Sequence, residues 1–112
     1  MKMGKWNDIK ETVYNKLLNS VQKVVVYEPN NDMTRNFAIA EANIVMQPIK
    51  DEGVLFDYKV VCDSELNNDD VVDGNMFVLQ LHWKEHEGDD WTVCEFTLSP
   101  KGSDICDTGS GN

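Results

Sequence analysis

Met76-Phe77-Val78-Leu79-Gln80-Leu81-His82-Trp83-Lys84, followed by Trp91-Thr92-Val93-Cys94-Glu95-Phe96-Thr97-Leu98, repeats its large apolar residues at every second position. Successive side chains of an extended strand point to opposite faces. Phe77, Leu79, Leu81 and Trp83 therefore share one face of the first run, and Cys94, Phe96 and Leu98 one face of the second. Glu85-His86-Glu87-Gly88-Asp89-Asp90 is a charged connection that joins the two into a hairpin. A third alternating run, Asp57 to Asp63, turns Tyr58, Val60 and Cys62 to one side and reads as a half-buried strand.

Upstream the period changes. Trp6, Ile9, Val13, Tyr14, Leu17, Leu18 and Val21 recur at helical spacing, with Lys10, Glu11, Asn15, Lys16 and Asn19 opposite, which predicts an amphipathic helix capped by Asn7 or Asp8. The β-branched run Val24-Val25-Val26 predicts a switch to a strand that ends at Pro29. Asn30-Asn31-Asp32 offers caps for a second helix from Thr34 to Met46. Phe37, Ala38, Ala40, Ile44 and Val45 would line its buried stripe, and Arg35, Glu41 and Asn43 would face out. Pro48 lacks an amide hydrogen and disfavours helical geometry at Gln47, so the helix is expected to end or kink there. Asp51-Glu52-Gly53 reads as a turn, and Ser64 to Asp73 as a loop.

Strands and helices in this order give an α+β two-layer sandwich: a small mixed sheet of about four strands with both helices on one face. A chain of 112 residues supports one core, placed in a domain of residues 1–100. Residues 101–112 have little to pack besides Ile105 and read as a flexible C-terminal arm.

Charge is uneven. Residues 1–60 carry eight basic and eight acidic side chains, whereas residues 61–112 carry two basic (Lys84, Lys101) and twelve acidic, so the net charge of −10 sits in the second half. Such a surface repels phosphate backbones, which speaks against nucleic acid and anionic membranes as partners. Met1 to Thr12 lacks the apolar run of a signal peptide, and runs such as Val24 to Tyr27 are too short to span a bilayer, which predicts a soluble protein made in a cytoplasm. Cys62, Cys94 and Cys106 have neither the count nor the density of a disulfide scaffold. They read as reduced thiols, the first two as small hydrophobes in strands and Cys106 as exposed in a polar tail, with a Cys62–Cys94 disulfide as the alternative.

Sites of chemistry are sparse. His82-Trp83-Lys84-Glu85-His86 fits the spacing of an inverted zinc protease motif, but that chemistry needs both histidines on one helix face, and here His82 ends a strand. Asp63, Glu65, Asp69, Asp70 and Asp73 lack the order of a calcium loop and read as solvated; Asn67, Asn68, Asp73 and Gly74 read as turn formers. No nucleophile elbow, catalytic triad order or phosphate-cradling loop is present, so no catalytic, metal or cofactor residue is assigned and an enzyme is not expected. Trp83 and Trp91 flank the hairpin connection and are expected to face each other across the strands, or to sit at a subunit contact.

Four segments in order carry a resemblance: Val25-Val26-Tyr27-Glu28-Pro29-Asn30-Asn31-Asp32-Met33-Thr34-Arg35, then Gly53-Val54-Leu55-Phe56-Asp57-Tyr58-Lys59-Val60-Val61-Cys62-Asp63, then Asn67-Asn68, then Val72-Asp73-Gly74-Asn75. Over roughly residues 20–100 the chain resembles the C-terminal domain of contractile phage tail sheath proteins. The resemblance implies a structural subunit that surrounds a tail tube as a helical or ring homo-oligomer. It further implies tube and baseplate proteins as partners, a place in the virion, and terminal arms that add strands to neighbouring sheets. The arm residues would be Met1, Lys2, Met3, Gly4 and Lys5 at one end and Ser103, Asp104, Ile105 and Cys106 at the other. Such sheath proteins usually carry large domains ahead of this one, so the related baseplate sheath initiator is a second expectation, and a small acidic binding module a third.

Overall fold

The computed structural model describes residues 4–106. Its elements are α1 (Trp6–Val25), α2 (Asp32–Asp51), β1 (Asp57–Val61), α3 (Asp69–Asp73), β2 (Phe77–Lys84), β3 (Thr92–Ser99) and β4 (Gly102–Ile105). The strands form one sheet in the order β1-β2-β3-β4, with antiparallel pairing throughout. The two-layer sandwich is the architecture expected; the sheet is wholly antiparallel among the described residues, where a mixed one was expected.

The core lies between the helices and one sheet face. Trp6, Tyr14, Leu17 and Val21 of α1 and Ala38, Ala42, Met46 and Ile49 of α2 pack on Phe77, Leu79, Leu81, Cys94, Phe96 and Leu98. The alternation read from sequence is the alternation of burial in β3 and, apart from buried Val78, in β2, whereas β1 is half-buried on both sides, with Tyr58, Val60 and Val61 alike. Each large apolar side chain buried in this way contributes about 1.5–3 kcal/mol. An aromatic cluster joins the layers. Trp6 lies edge-on to Trp83 with centroids 5.1 Å apart, Tyr14 stands edge-on to Phe96 at 5.7 Å, and the indole Nε1–H of Trp83 donates to the Tyr14 hydroxyl at 2.9 Å. Burial raises the Tyr14 pKa above its ordinary value, against the opposing pull of that hydrogen bond.

Six local expectations are corrected. Helix α1 starts after Lys5 with no side-chain cap and runs to Val25, so no strand forms at Val24–Tyr27. Val21 is buried and Val25 packs against the core, and this tertiary contact outweighs β-branched preference. Helix α2 passes through Pro48, which is exposed one turn from the helix end. Its buried stripe is Thr34, Arg35, Ala38, Ala42, Val45, Met46 and Ile49, while Phe37 and Ile44 are exposed. The loop after β1 contains the short helix α3, started by Asn68, whose side chain accepts from the Val71 amide. Finally Trp83 pairs with Thr92, which puts Trp91 on the opposite face, where its ring meets Lys59 and Lys84.

The tail differs most. Gly102–Ile105 pairs with β3 of its own chain, and Cys94 and Cys106 form a disulfide, leaving Cys62 as a buried free thiol. Reduced thiols were expected at all three positions. The pairing brings Cys106 beside Cys94 because its amide donates to the Glu95 carbonyl at 3.0 Å, one step past the ladder.

Candidate functional site

The segments singled out in the sequence converge on one buried polar cluster at the end of β1. Asn67 is 3% exposed. Its Nδ2 donates to the Val78 carbonyl at 2.8 Å and the Asp63 carbonyl at 3.0 Å. Its Oδ1 accepts from the Val78 amide at 2.8 Å and from Asn30 Nδ2 at 2.8 Å. Every donor and acceptor position of the carboxamide is thereby used. Two of those bonds go to the backbone of one β2 residue beyond the end of β1, so the side chain substitutes for the next residue of a neighbouring strand.

Arg35 completes the cluster. It is buried on α2, its Nη1 donates to Asn30 Oδ1 at 2.6 Å and its Nη2 to Asp32 Oδ1 at 2.7 Å. Asn30 also donates to the Met76 carbonyl at 3.0 Å, and Asn31 caps α2 by accepting from the Thr34 amide at 3.0 Å. Glu-Pro-Asn, Arg35, Val-Cys-Asp and Asn-Asn are thus parts of one clamp holding α2, β1 and β2 together. Cys62 packs against it, and burial pushes its thiol up to about 12, opposed by the Arg35 charge and the Asn67 hydrogen bond. Asn67 is thus more than the turn former its sequence context suggests. The signal that it does more is the order of Asn30, Arg35, Val-Cys-Asp and Asn-Asn in the chain, together with an arginine on the buried stripe of α2.

The clamp also shows which way the strands face. Val78 directs its N–H and C=O toward the β1 side, and alternate residues of a strand do the same, so Gln80, His82 and Lys84 bond β1 and Phe77, Leu79, Leu81 and Trp83 bond β3. On β1 it is then Tyr58 and Val60 that point outward. On β4, with the Cys106 amide bonded inward, Ser103 and Ile105 point outward. Among the described residues both rims of the sheet are therefore open.

The rims differ in finish. At β1 the Asp57 carboxylate accepts from the Tyr58 amide at 2.8 Å and from Lys50 Nζ at 3.0 Å, while the Tyr58 hydroxyl donates to Gln47 on α2 at 2.8 Å. The Lys50 hydrogen bond, then the Tyr58 amide, hold the Asp57 pKa below its ordinary value. At β4 no hydrogen bond among the described residues engages the outward backbone groups of Ser103 and Ile105.

Of the expected arm residues, Met1, Lys2 and Met3 lie outside the described residues. Gly4 and Lys5 lead into α1, where the Lys5 carbonyl accepts from the Asp8 amide at 2.9 Å, and they line a hollow with Glu52, Gly53, Val54 and His86. Ser103, Asp104 and Ile105 are in β4, and Cys106 is in the disulfide. The two groups sit at opposite ends of the sheet, one beside the β2–β3 connection and the other beside the start of β2. The histidines are separate as well: His82 meets Gln80 Oε1 at 3.0 Å on the sheet's outer face, and the backbone amide of His86 donates to Asp89 in the connection. Burial, then the Lys59 charge, lowers the His82 pKa. Among the described residues no three His, Cys, Asp or Glu side chains gather to hold a metal ion, and no helix is long and apolar enough to cross a membrane.

The geometry is that of a small α+β domain whose distinctive features are a polar clamp and open strand edges. The tail sheath protein of Vibrio phage KVP40 is 26% identical to this chain over 92 residues, 82% of the chain and 14% of that protein. The tail sheath protein of Enterobacteria phage T4 is 29% identical over 83 residues, 74% of the chain and 13% of that protein. The chain resembles a tail sheath domain, and it spans 13% to 14% of the length of these curated relatives. No family model matches the chain, and no solved structure does.

Proposed function

We propose that the chain is a structural part of a contractile phage tail, a sheath domain that assembles around the tail tube by exchange of strands between neighbouring subunits. The carrying observation is the pair of open rims on a sheet that is otherwise clamped and tightly packed, in a chain that resembles tail sheath proteins. An open edge offers amide and carbonyl groups that an extended segment of a neighbour satisfies. The clamp of Asn30, Arg35 and Asn67 keeps the sheet rigid while its rims are engaged. The partners are other copies or kindred sheath subunits, the tail tube and the baseplate; the place is the virion, after assembly in a host cytoplasm. The role requires no catalytic step and no cofactor.

Sedimentation and negative-stain electron microscopy of the purified chain, under air and in dithiothreitol, alone and with tail tube protein, test the reading. Rings, tubes or decorated tubes are the expected result. A chain that stays monomeric at every concentration and ignores the tube would point instead to a small acidic binding module.

A further inference from the structure

Strand β4 is held by a short ladder to β3, by the hydrogen bonds from Ser99 Oγ to the Gly102 carbonyl and from the Cys106 amide to the Glu95 carbonyl, and by one covalent bond. It has four residues, three of them Gly, Ser and Asp, which are poor strand formers, and Ile105 is its only apolar residue against the core. Its outer edge has no neighbour among the described residues. The disulfide crosses from its end to the centre of the sheet: Cys94 is 1% exposed on β3, whereas Cys106 is half-buried. A short terminal strand with so few contacts belongs to the part of a protein that opens first, and the bond between Cys94 and Cys106 is what prevents it.

We propose that the Cys94–Cys106 disulfide is a redox latch on β4: closed, it keeps the strand on its own β3, and opened by a small thiol it releases both the strand and the β3 edge to pair with a second copy. The proposal rests on the strand-exchange reading and names the arm and edge that reading would use. In reducing surroundings disulfides of this kind are opened, and in oxidising ones they persist.

The chemistry is ordinary thiol–disulfide exchange. A thiolate attacks the more accessible Cys106 Sγ and forms a mixed disulfide, and the bond to Cys94 breaks, leaving a Cys94 thiolate that takes up a proton. A second thiol attacks the sulfur of the first, expelling the Cys106 thiolate, which is protonated in turn. The two cysteines gain two electrons and two protons, and the small thiol leaves as its own disulfide. Cys62 takes no part, because burial keeps it in the unreactive thiol form.

Release exposes the groups that β3 directs toward β4, those of Glu95, Thr97 and Ser99, while Cys94, Phe96 and Leu98 remain bonded to β2. Opened out at the Pro100-Lys101 turn, residues 100–106 reach about 23 Å, enough to lie along the same edge of a neighbour. In the register of the closed strand, Ile105 would again face Phe96 and Cys106 would again meet Cys94, now on another copy. The surface that binds β4 within the chain is the surface that binds it between chains.

The test compares the chain as purified under air, the same chain in dithiothreitol, and Cys106→Ser. Amide hydrogen exchange of residues 102–106 reads the latch, and sedimentation reads assembly. Reduction and the substitution should each speed exchange of these amides by about tenfold or more while β2 stays protected, and should shift the chain to larger species. Reoxidising the assembled wild type with oxidised glutathione, which takes up the two electrons as two thiols, should give a ladder of disulfide-linked chains on a non-reducing gel. Cys106→Ser should give none. Free thiols at Cys94 and Cys106 in the aerobic protein, or β4 amides as protected after reduction as before, would overturn the latch and leave strand exchange by other segments standing. Release of β4 with no assembly in any state would overturn the strand-exchange reading itself.

Discussion

The two rims of the sheet are built on different principles. At the β1 rim, hydrogen bonds hold everything: Asn67 extends the ladder past the strand's end, Asp57 blunts the outward Tyr58 amide, and Lys50 and Gln47 tie the strand to α2. At the β4 rim the ladder is short, the outward groups have no partner among the described residues, and a disulfide pins the strand's end. A rim secured by a buried polar clamp cannot let go without exposing the core. A rim secured by one covalent bond can be released while the rest stays folded. The difference separates a permanent edge from a conditional one, and each of the following experiments attacks one side of it.

The largest effect is expected at the clamp. Asn67→Ala removes four good hydrogen bonds and strands the amide and carbonyl of Val78 in a buried place, at about 1–3 kcal/mol for each unsatisfied group. A total loss of about 3–4 kcal/mol in a denaturant titration is the expected outcome. Asn67→Asp should be nearly as costly despite its similar shape, because a carboxylate has no donors for the Val78 and Asp63 carbonyls. If either variant unfolds like the wild type, the clamp is not what fixes this rim.

Second comes the latch as a stabilising element. Two cysteines 12 residues apart close a loop whose unfolded-state entropy is worth about 3 kcal/mol at most. Because β4 detaches on its own, only part of that reaches the global transition, so reduction should cost about 1–2 kcal/mol, less than Asn67→Ala. A loss larger than that of the clamp would make β4 an integral strand and erase the distinction between the rims. Gly102→Ala is milder still. Gly102 opens β4 at φ +144, a region L side chains rarely adopt, with nothing within 4 Å of an added Cβ. The cost is therefore backbone strain alone, about 1 kcal/mol, visible as faster exchange in β4 and little change elsewhere.

Much of the layered fold was legible because period carries it. Phe77, Leu79, Leu81, Cys94, Phe96 and Leu98 alternate and are all buried, and Trp6 to Val21 keeps its helical stripe. What failed lies where local preference and packing disagree. Val24 to Val26 favours a strand locally, yet the helix continues because Val21 and Val25 face the core. The phase of α2 was missed because Arg35 looks like a surface residue until Asn30 is there to receive it. The roles of Asn67 and Cys106 depend on partners 11 and 12 residues away in sequence, set by strand register, which neither composition nor periodicity encodes.

The smallest effects concern charge at the β1 rim and its neighbouring face, and they occur in separable pH windows. His82 has a lowered pKa, so its contribution is complete above its ordinary value of 6.5 and is lost as pH falls through the lower folded value. Asp57 behaves likewise around a lower point: its contribution is complete above 3.8 and lost as acid protonates the carboxylate. A modest decline in stability should begin just below neutrality, be flattened by His82→Gln, and be followed by a second step in stronger acid that Asp57→Asn removes. The Lys50–Asp57 pair is partly exposed, and a double-mutant cycle with Lys50→Met and Asp57→Asn should show about 0.5 kcal/mol of coupling. Asp57→Ala goes further than either. It strips the outward Tyr58 amide of its acceptor and makes the β1 rim as bare as the β4 rim. Self-association of the oxidised chain should rise even though the latch is shut. No change in sedimentation would mean that α2, through Gln47 and Lys50, shields this edge without help from the carboxylate.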